Sequence, residues 1–154
     1  MKIQGEQLLP LQPQAAWNLL LDHEVLARAI PGCESLVPIG PDEYEMKTKI
    51  AVSSIQGLFA GKIRIEDKRP PASYRLVMEG QGRIGHVRGA GLLTLAPEGA
   101  GTKLSYEGDA HIGGLIASVG ERMLDMTAKM MTKRFFSGLL REAESAPRPQ
   151  EAPK

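Results

Sequence analysis

Between Leu115 and Ala143 the chain contains no proline, and its only glycines there are Gly120 and Gly138. Ahead of that stretch, from Ser35 to Ile112, glycine or proline interrupts the chain every few residues, and the pieces between read as strands. One long helix after a run of strands restricts the fold sharply. A single antiparallel sheet has one face to bury, and one long helix laid across it can bury that face. Such a layout can also leave a hollow between helix and sheet.

The strands announce themselves by alternation. Tyr44, Met46, Thr48, Ile50 and Val52 alternate with Glu43, Glu45, Lys47 and Lys49. That pattern predicts a half-buried strand over 43–52 with one wet face. Phe59, Gly61, Ile63 and Ile65 alternate with Ala60, Lys62, Arg64 and Glu66 in the next strand, 58–67, after a turn over Ser53–Gly57. Further strands are expected over 73–82, from Gly85 to Ala96, and over 102–112, with a shorter one over 34–39 and a first strand over 2–9. Between the first two, Pro13 opens a short helix to Leu21, and Asp22 caps a second that ends at Ala29, before Pro31-Gly32. The small residues Gly61, Gly80, Gly108 and Ala110 fall at inward positions. They either let the helix approach closely or leave space.

The long helix carries two apolar stripes. Ile116, Val119, Met123, Met126 and Met130 form one; Leu124, Ala128, Met131, Phe135 and Leu139 form the other. Four of the seven methionines lie here. Methionine is flexible and polarizable, which suits both a plain core and a surface that adapts to variable ligands. Asp125 and Lys129 make an i,i+4 ion pair. Lys129, Lys133, Arg134 and Arg141 make the end of the helix basic, which offsets its dipole.

Signals for catalysis are weak. His23, His86 and His111 lack metal-ligand spacing. Cys33 has no evident base to make it a nucleophile. Gly80-Gln81-Gly82-Arg83-Ile84-Gly85 spells a dinucleotide fingerprint, but strands flank it on both sides, so it reads as a glycine-rich hairpin. The polar inward candidates are Tyr44, Thr48, Tyr74 and Tyr106, with no inward charge. A net charge of +1 and few aromatics argue against nucleic acid as a partner. One cysteine forms no internal disulfide, which suits a reducing compartment. The N-terminus has no apolar signal core, and no apolar run is long enough to span a membrane.

Several stretches together resemble one family. Asp22-His23-Glu24-x-Leu26 followed by Ile30-Pro31-Gly32-Cys33 is similar to the helix-to-strand corner of the CoxG-like family, named for the G subunit of carbon monoxide dehydrogenase. Gly57-Leu58-Phe59-Ala60-Gly61, Gly80-x-Gly82-x-x-Gly85 and Gly101-Thr102-x-Leu104-x-Tyr106 follow in order. Gly114-Leu115-Ile116-Ala117 with Gly120 and Arg122, then Phe135-Phe136, complete the match, which runs from residue 1 to about 140.

The resemblance implies an α+β helix-grip fold of the START/Bet v 1-like (SRPBCC) superfamily: a curved seven-stranded antiparallel sheet around a long C-terminal helix, with two short helices after strand one. It implies one ligand-binding domain over 1–144, and the proline-rich, charged composition of 145–154 predicts a disordered tail. It implies a hydrophobic pocket lined by Trp17, Ile30, Tyr44, Met46, Phe59, Ile63, Leu76, Met78, Tyr106, Ile116, Val119, Met123, Met126 and Met130. The implied role is that of a non-enzymatic accessory protein, without cofactor or metal, which binds a lipid or quinone and serves a molybdenum hydroxylase of the carbon monoxide dehydrogenase type. Its implied place is cytoplasmic, with transient contact at the inner membrane face. Longer members of that family carry a hydrophobic C-terminal extension, whereas Ser145–Lys154 is polar. The apolar residues Ile55, Leu58, Phe59, Ile84, Leu115 and Ile116 are the ones expected at a membrane-facing pocket mouth. A cyclase- or aromatase-like enzyme and an assembly factor without ligand are the alternatives.

Overall fold

A computed structural model describes residues 1–145 of the chain. Strand β1 (Lys2–Leu9) is followed by helices α1 (Pro13–Leu20) and α2 (His23–Ala29). Strands β2 (Cys33–Gly40), β3 (Glu43–Val52), β4 (Ile55–Arg69), β5 (Ser73–Gly82), β6 (Gly85–Glu98) and β7 (Gly101–Gly113) follow as a meander. A 3-10 turn, Leu115–Val119, leads into helix α3 (Glu121–Ser145). All seven strands join one antiparallel sheet in the order β1-β7-β6-β5-β4-β3-β2. This is the helix-grip architecture.

Local chemistry sets the helix starts. Pro13 occupies the first turn of α1, where a missing N–H costs nothing. The Asp22 carboxylate accepts from the backbone N–H of Glu24 at 3.0 Å and of Val25 at 3.4 Å, which caps α2. Gly120, at φ 94, supplies the carbonyl that receives the Leu124 N–H at 3.1 Å and so opens α3.

Three boundaries differ most from the sequence expectation. The terminal helix does not begin at Leu115. Ile116 is buried against Ile84, Phe59 and Val52, and its N–H donates to the Ile84 carbonyl at 2.7 Å. That anchor holds the chain in a 3-10 turn, and the left-handed Gly120 then redirects it. At its far end α3 includes Ser145, which the sequence assigns to the tail; the rest of that tail lies outside the described residues. The β3–β4 turn is also shorter than expected. Ser53 adopts φ 57, so Val52 pairs directly with Ile55. Gly57, expected in the turn, instead lies within β4 beneath the Ile84 side chain.

The register places the inward residues in cross-strand rows. Tyr44, Ile63, Met78, Gly89 and Ala110 form one; Met46, Gly61, Gly80, Val87 and Ile112 form the next. Ile65, Leu76, Gly91, Gly108 and Ile3 form a third. At intervening positions Lys47, Arg64 and Glu79 are exposed. Five of the fifteen positions in these rows are glycine, so the middle of the inner face has a low floor.

Domains of this size usually bury one contiguous core. Here the buried residues fall into three clusters. One joins α1, Ile65, Tyr74, Leu95 and Leu104 to Phe136, Leu139 and Ala143 of α3. A second, at the opposite end, joins Val52, Phe59, Ile84 and Ile116, with Met123 and Leu124 against it. The third, Leu36, Met46 and Ile63, packs under α2.

The low floor is sterically required where β4 and β5 come close. A Cβ on Gly61 would lie 1.8 Å from the Glu79 carbonyl oxygen and 2.6 Å from the Gly80 Cα. Gly61→Ala therefore lowers stability by roughly 1–3 kcal/mol or more through overpacking. Gly40→Ala, where a Cβ meets nothing within 4 Å, is the control. Urea midpoints of the two variants check this, and equal midpoints would refute it.

Candidate ligand-binding site

Helix α3 is held at both ends and not between them. Its buried residues are Phe136, Gly138, Leu139 and Ala143, all in the C-terminal half. From Glu121 to Phe135 no residue is buried. The α3 backbone comes near the sheet chiefly at β1 and β3, towards the two margins, and otherwise packs on α2 and the 3-10 turn. Beneath its middle, Leu76, Met78, Gly80, Val87, Gly89, Gly91, Gly108 and Ala110 face inward yet are only half-buried. The span from Leu124 to Phe135 is about 17 Å of helix. Its inner side presents Thr127, Ala128, Met131 and Thr132, all half-buried. Apart from Met131 on the helix and Leu76 and Met78 on the floor, the side chains facing across the centre of the grip are small or short.

The expected lining residues divide into four groups. Trp17 lies at the closed end, edge-on to Tyr74 with ring centroids 5.5 Å apart. Tyr106 lies tilted against Phe136, ring centroids 5.3 Å apart, in the same region. Ile30, Tyr44, Met46, Ile63, Leu76 and Met78 gather on the α2 side, where Tyr44 also stacks on His23 at 6.0 Å. Phe59 and Ile116 are buried in the cluster beside the 3-10 turn, with Val119 and Met123 packed against them. Met126 and Met130 do not face inward: they are 58% and 42% exposed.

The outward placement of Met126 and Met130 has a clear cause. Ile116 and Val119 lie in a 3-10 turn, and Gly120 reorients the chain before α3 starts. The phase of the first apolar stripe is lost at that break. The second stripe, Leu124, Ala128, Met131, Phe135 and Leu139, is the one turned to the sheet. Met126 and Met130 instead continue an exposed line with Arg122, Lys133, Ser137 and Arg141. The residues that sequence reasoning left off the site are therefore Thr127, Ala128, Met131 and Thr132 on the helix and Gly80, Val87, Gly89 and Ala110 on the floor. The signal was the spacing of the second stripe together with the small inward residues.

The apolar residues expected at a pocket mouth also divide. Phe59, Ile84 and Ile116 close a core cluster, Ile55 packs against it, and Leu58 and Leu115 are 47% and 57% exposed. Two open hollows border the grip, and each touches its inner rows: the first at Met46, Gly61, Gly80 and Val87, the second at Ala110 and Ile112. One, about 530 Å³, has the outward cross-strand row Glu45, Lys62, Glu79 and Arg88 among its walls. The other, about 580 Å³, lies between β7 and the start of α3, beside His111, Glu121, Arg122 and Asp125.

The interior is chemically quiet. Burial pushes the Tyr74 hydroxyl far above the ordinary tyrosine range, so it stays protonated. Burial likewise raises the Cys33 thiol, which donates to the Ser35 carbonyl at 3.4 Å and stays neutral. Thr48 is buried and donates to the Pro31 carbonyl at 3.2 Å. Among the described residues no three His, Cys, Asp or Glu side chains come together as metal ligands. Two ion pairs lie outside the centre: Arg28–Glu142 at 2.7 Å, which ties α2 to α3, and Asp125–Lys129 at 2.9 Å. The first holds the Glu142 carboxyl below its usual range.

The family model for CoxG, the G subunit of carbon monoxide dehydrogenase, matches residues 5–144. Among solved structures, a conserved protein from Geobacillus kaustophilus is 32% identical with a TM-score of 0.89; the alignment covers 94% of this chain and 95% of that one. The Zhui aromatase/cyclase from Streptomyces sp. R1128 has a TM-score of 0.68 at 13% identity, with 99% of each chain covered. Ara h 8.0201 has a TM-score of 0.67 at 14% identity, covering 95% of this chain and 99% of that one. The last two share the fold. No curated protein matches the sequence.

The end-held helix makes a contrast testable by denaturation. Phe136→Ala, in the closed-end cluster, lowers stability by about 3–5 kcal/mol. Met126→Ala and Met130→Ala change it by no more than about 0.5 kcal/mol. A large loss for either methionine would mean that the exposed line is buried in solution.

Proposed function

This chain belongs to the CoxG family of carbon monoxide dehydrogenase, and from that premise we propose that it is a non-enzymatic carrier that holds a hydrophobic molecule, a lipid or a quinone, between α3 and the sheet. The observation that carries this reading is the unburied first half of α3 above a floor of half-buried glycine, alanine and valine. Apolar surface left half-wet under a helix is unfavourable by about 25 cal/mol per Å², and a hydrophobic ligand would cover it. The carrier serves a redox enzyme of the molybdenum hydroxylase class, in keeping with the family's name. It meets membranes transiently. Leu58, Leu115, Met126 and Met130 offer exposed apolar contact, while among the described residues no helix is long and apolar enough to cross a membrane. Chemistry on the ligand is not part of the role, since the inward sheet positions carry no charged acid or base.

Gly80→Phe tests the location. A Cβ at Gly80 meets its nearest neighbours, the Ala60 carbonyl and the Phe59 ring, at 3.7–3.9 Å, so a side chain can be added without backbone collision. The bulky ring then occupies the centre of the grip. Lipid extracted from gently purified protein and identified by mass spectrometry is expected in the unmodified chain. It is expected to fall at least tenfold in the folded Gly80→Phe variant. Equal recovery from both would remove the ligand from this space.

A further inference from the structure

We propose that the space under α3 accepts uncharged amphiphiles and rejects anionic ones, so that a long-chain alcohol or ester binds while the matching fatty-acid carboxylate does not. The proposal presupposes the carrier role above and adds the charge class of the ligand.

The case rests on which groups face the space. The three inner rows of the sheet hold no Asp, Glu, Lys or Arg. Two of the neighbouring hydroxyls already donate: Thr48 to the Pro31 carbonyl, and Thr132 to the Ala128 carbonyl at 2.8 Å. Cys33 and Tyr74 are held protonated by burial. Among the described residues, the unpaired cations of α3, Arg122, Lys133, Arg134 and Arg141, are all exposed rather than turned to the sheet. On α3, Asp125 is paired with Lys129, and Glu142 with Arg28 of α2. On α2, the Asp22 carboxylate is spent on its cap, and His23 stacks on Tyr44. Arg122 stands at the rim with Lys2, His111, Glu121 and Asp125.

An ionised carboxylate drawn under α3 would lose its hydration and gain no counter-charge, which is strongly disfavoured. It would have to enter protonated. For a carboxyl of ordinary pKa about 4.3, that reduces affinity about a thousandfold at about pH 7.3, and the penalty shrinks tenfold for each unit the pH falls. A neutral head group pays no such penalty, and the Tyr44 hydroxyl can donate to it or accept from it.

Isothermal titration of the full chain with 1-dodecanol, methyl dodecanoate and dodecanoic acid, below their aggregation limits, is the test. At about pH 7.3 the alcohol and ester bind, and the acid is weaker by about a thousandfold or undetectable. Down to about pH 5.3 the acid gains tenfold per unit while the alcohol and ester stay level. The same slope persists in His23→Gln, which removes the titratable ring next to Tyr44. Equal affinity of acid and ester at about pH 7.3 overturns the inference and leaves the carrier role standing. So does a slope that vanishes in His23→Gln, because it would make His23 a cationic partner. If none of the three binds, the carrier role falls and the inference with it.

Discussion

Leu139 is fully buried, and with Phe136 and Ala143 it fixes the C-terminal half of α3 to Ile65, Tyr74, Leu95 and Leu104. Burying side chains of this size is worth about 1.5–3 kcal/mol each, and the rest of the arrangement depends on that attachment. It lets the helix reach back across the sheet with its other end supported by Met123 and Leu124 on the Phe59–Ile84–Ile116 cluster. A helix fixed at two points can leave its middle unpacked without coming loose. The closed end supplies stability, and the centre, where no α3 residue is buried, is the place proposed for the ligand.

The glycines of the inner rows complete this division. At Gly61, Gly89 and Gly108 a Cβ would collide with a neighbouring strand's carbonyl, so these positions serve the bend of the sheet. At Gly80 the contact is ordinary, so the absence of a side chain there leaves room rather than relieving a clash. The same residue type therefore does two jobs on adjacent strands: Gly61 lets β4 and β5 approach, and its partner Gly80 keeps the floor low. Outside, the wet face alternates in charge, with Glu45, Lys62, Glu79 and Arg88 in register across four strands.

Much of the fold was legible because period-two alternation and turn residues act locally. Glu43–Val52 and Ser73–Gly82 have the bounds that their patterns predict, and Gly82 pairs with Gly85 across the expected glycine-rich hairpin. The site was less legible. Two apolar stripes on one helix were visible, but which one faces the sheet depends on the dihedral angles at Gly120 and on the contact of Ile116 with Ile84, a neighbour far away in sequence. Periodicity carries phase only along an unbroken helix, so Met126 and Met130 could not be placed from Ile116 and Val119. Small inward residues were visible too, but where the two anchors of the helix lie relative to them depends on contacts distant in sequence.

The seven methionines permit a direct check on the central claim, because they lie on both sides of the proposed space. Met78 lies on the floor and Met131 on the inner side of α3, both half-buried, whereas Met126 and Met130 face solvent. Methyl spectra of carbon-13-labelled methionine, recorded as 1-dodecanol is added in the absence of membranes, report each position separately. The account predicts that the Met78 and Met131 signals move on saturation while those of Met126 and Met130 stay in place. Movement confined to Met126 and Met130 would put the ligand on the outer line of the helix and contradict it.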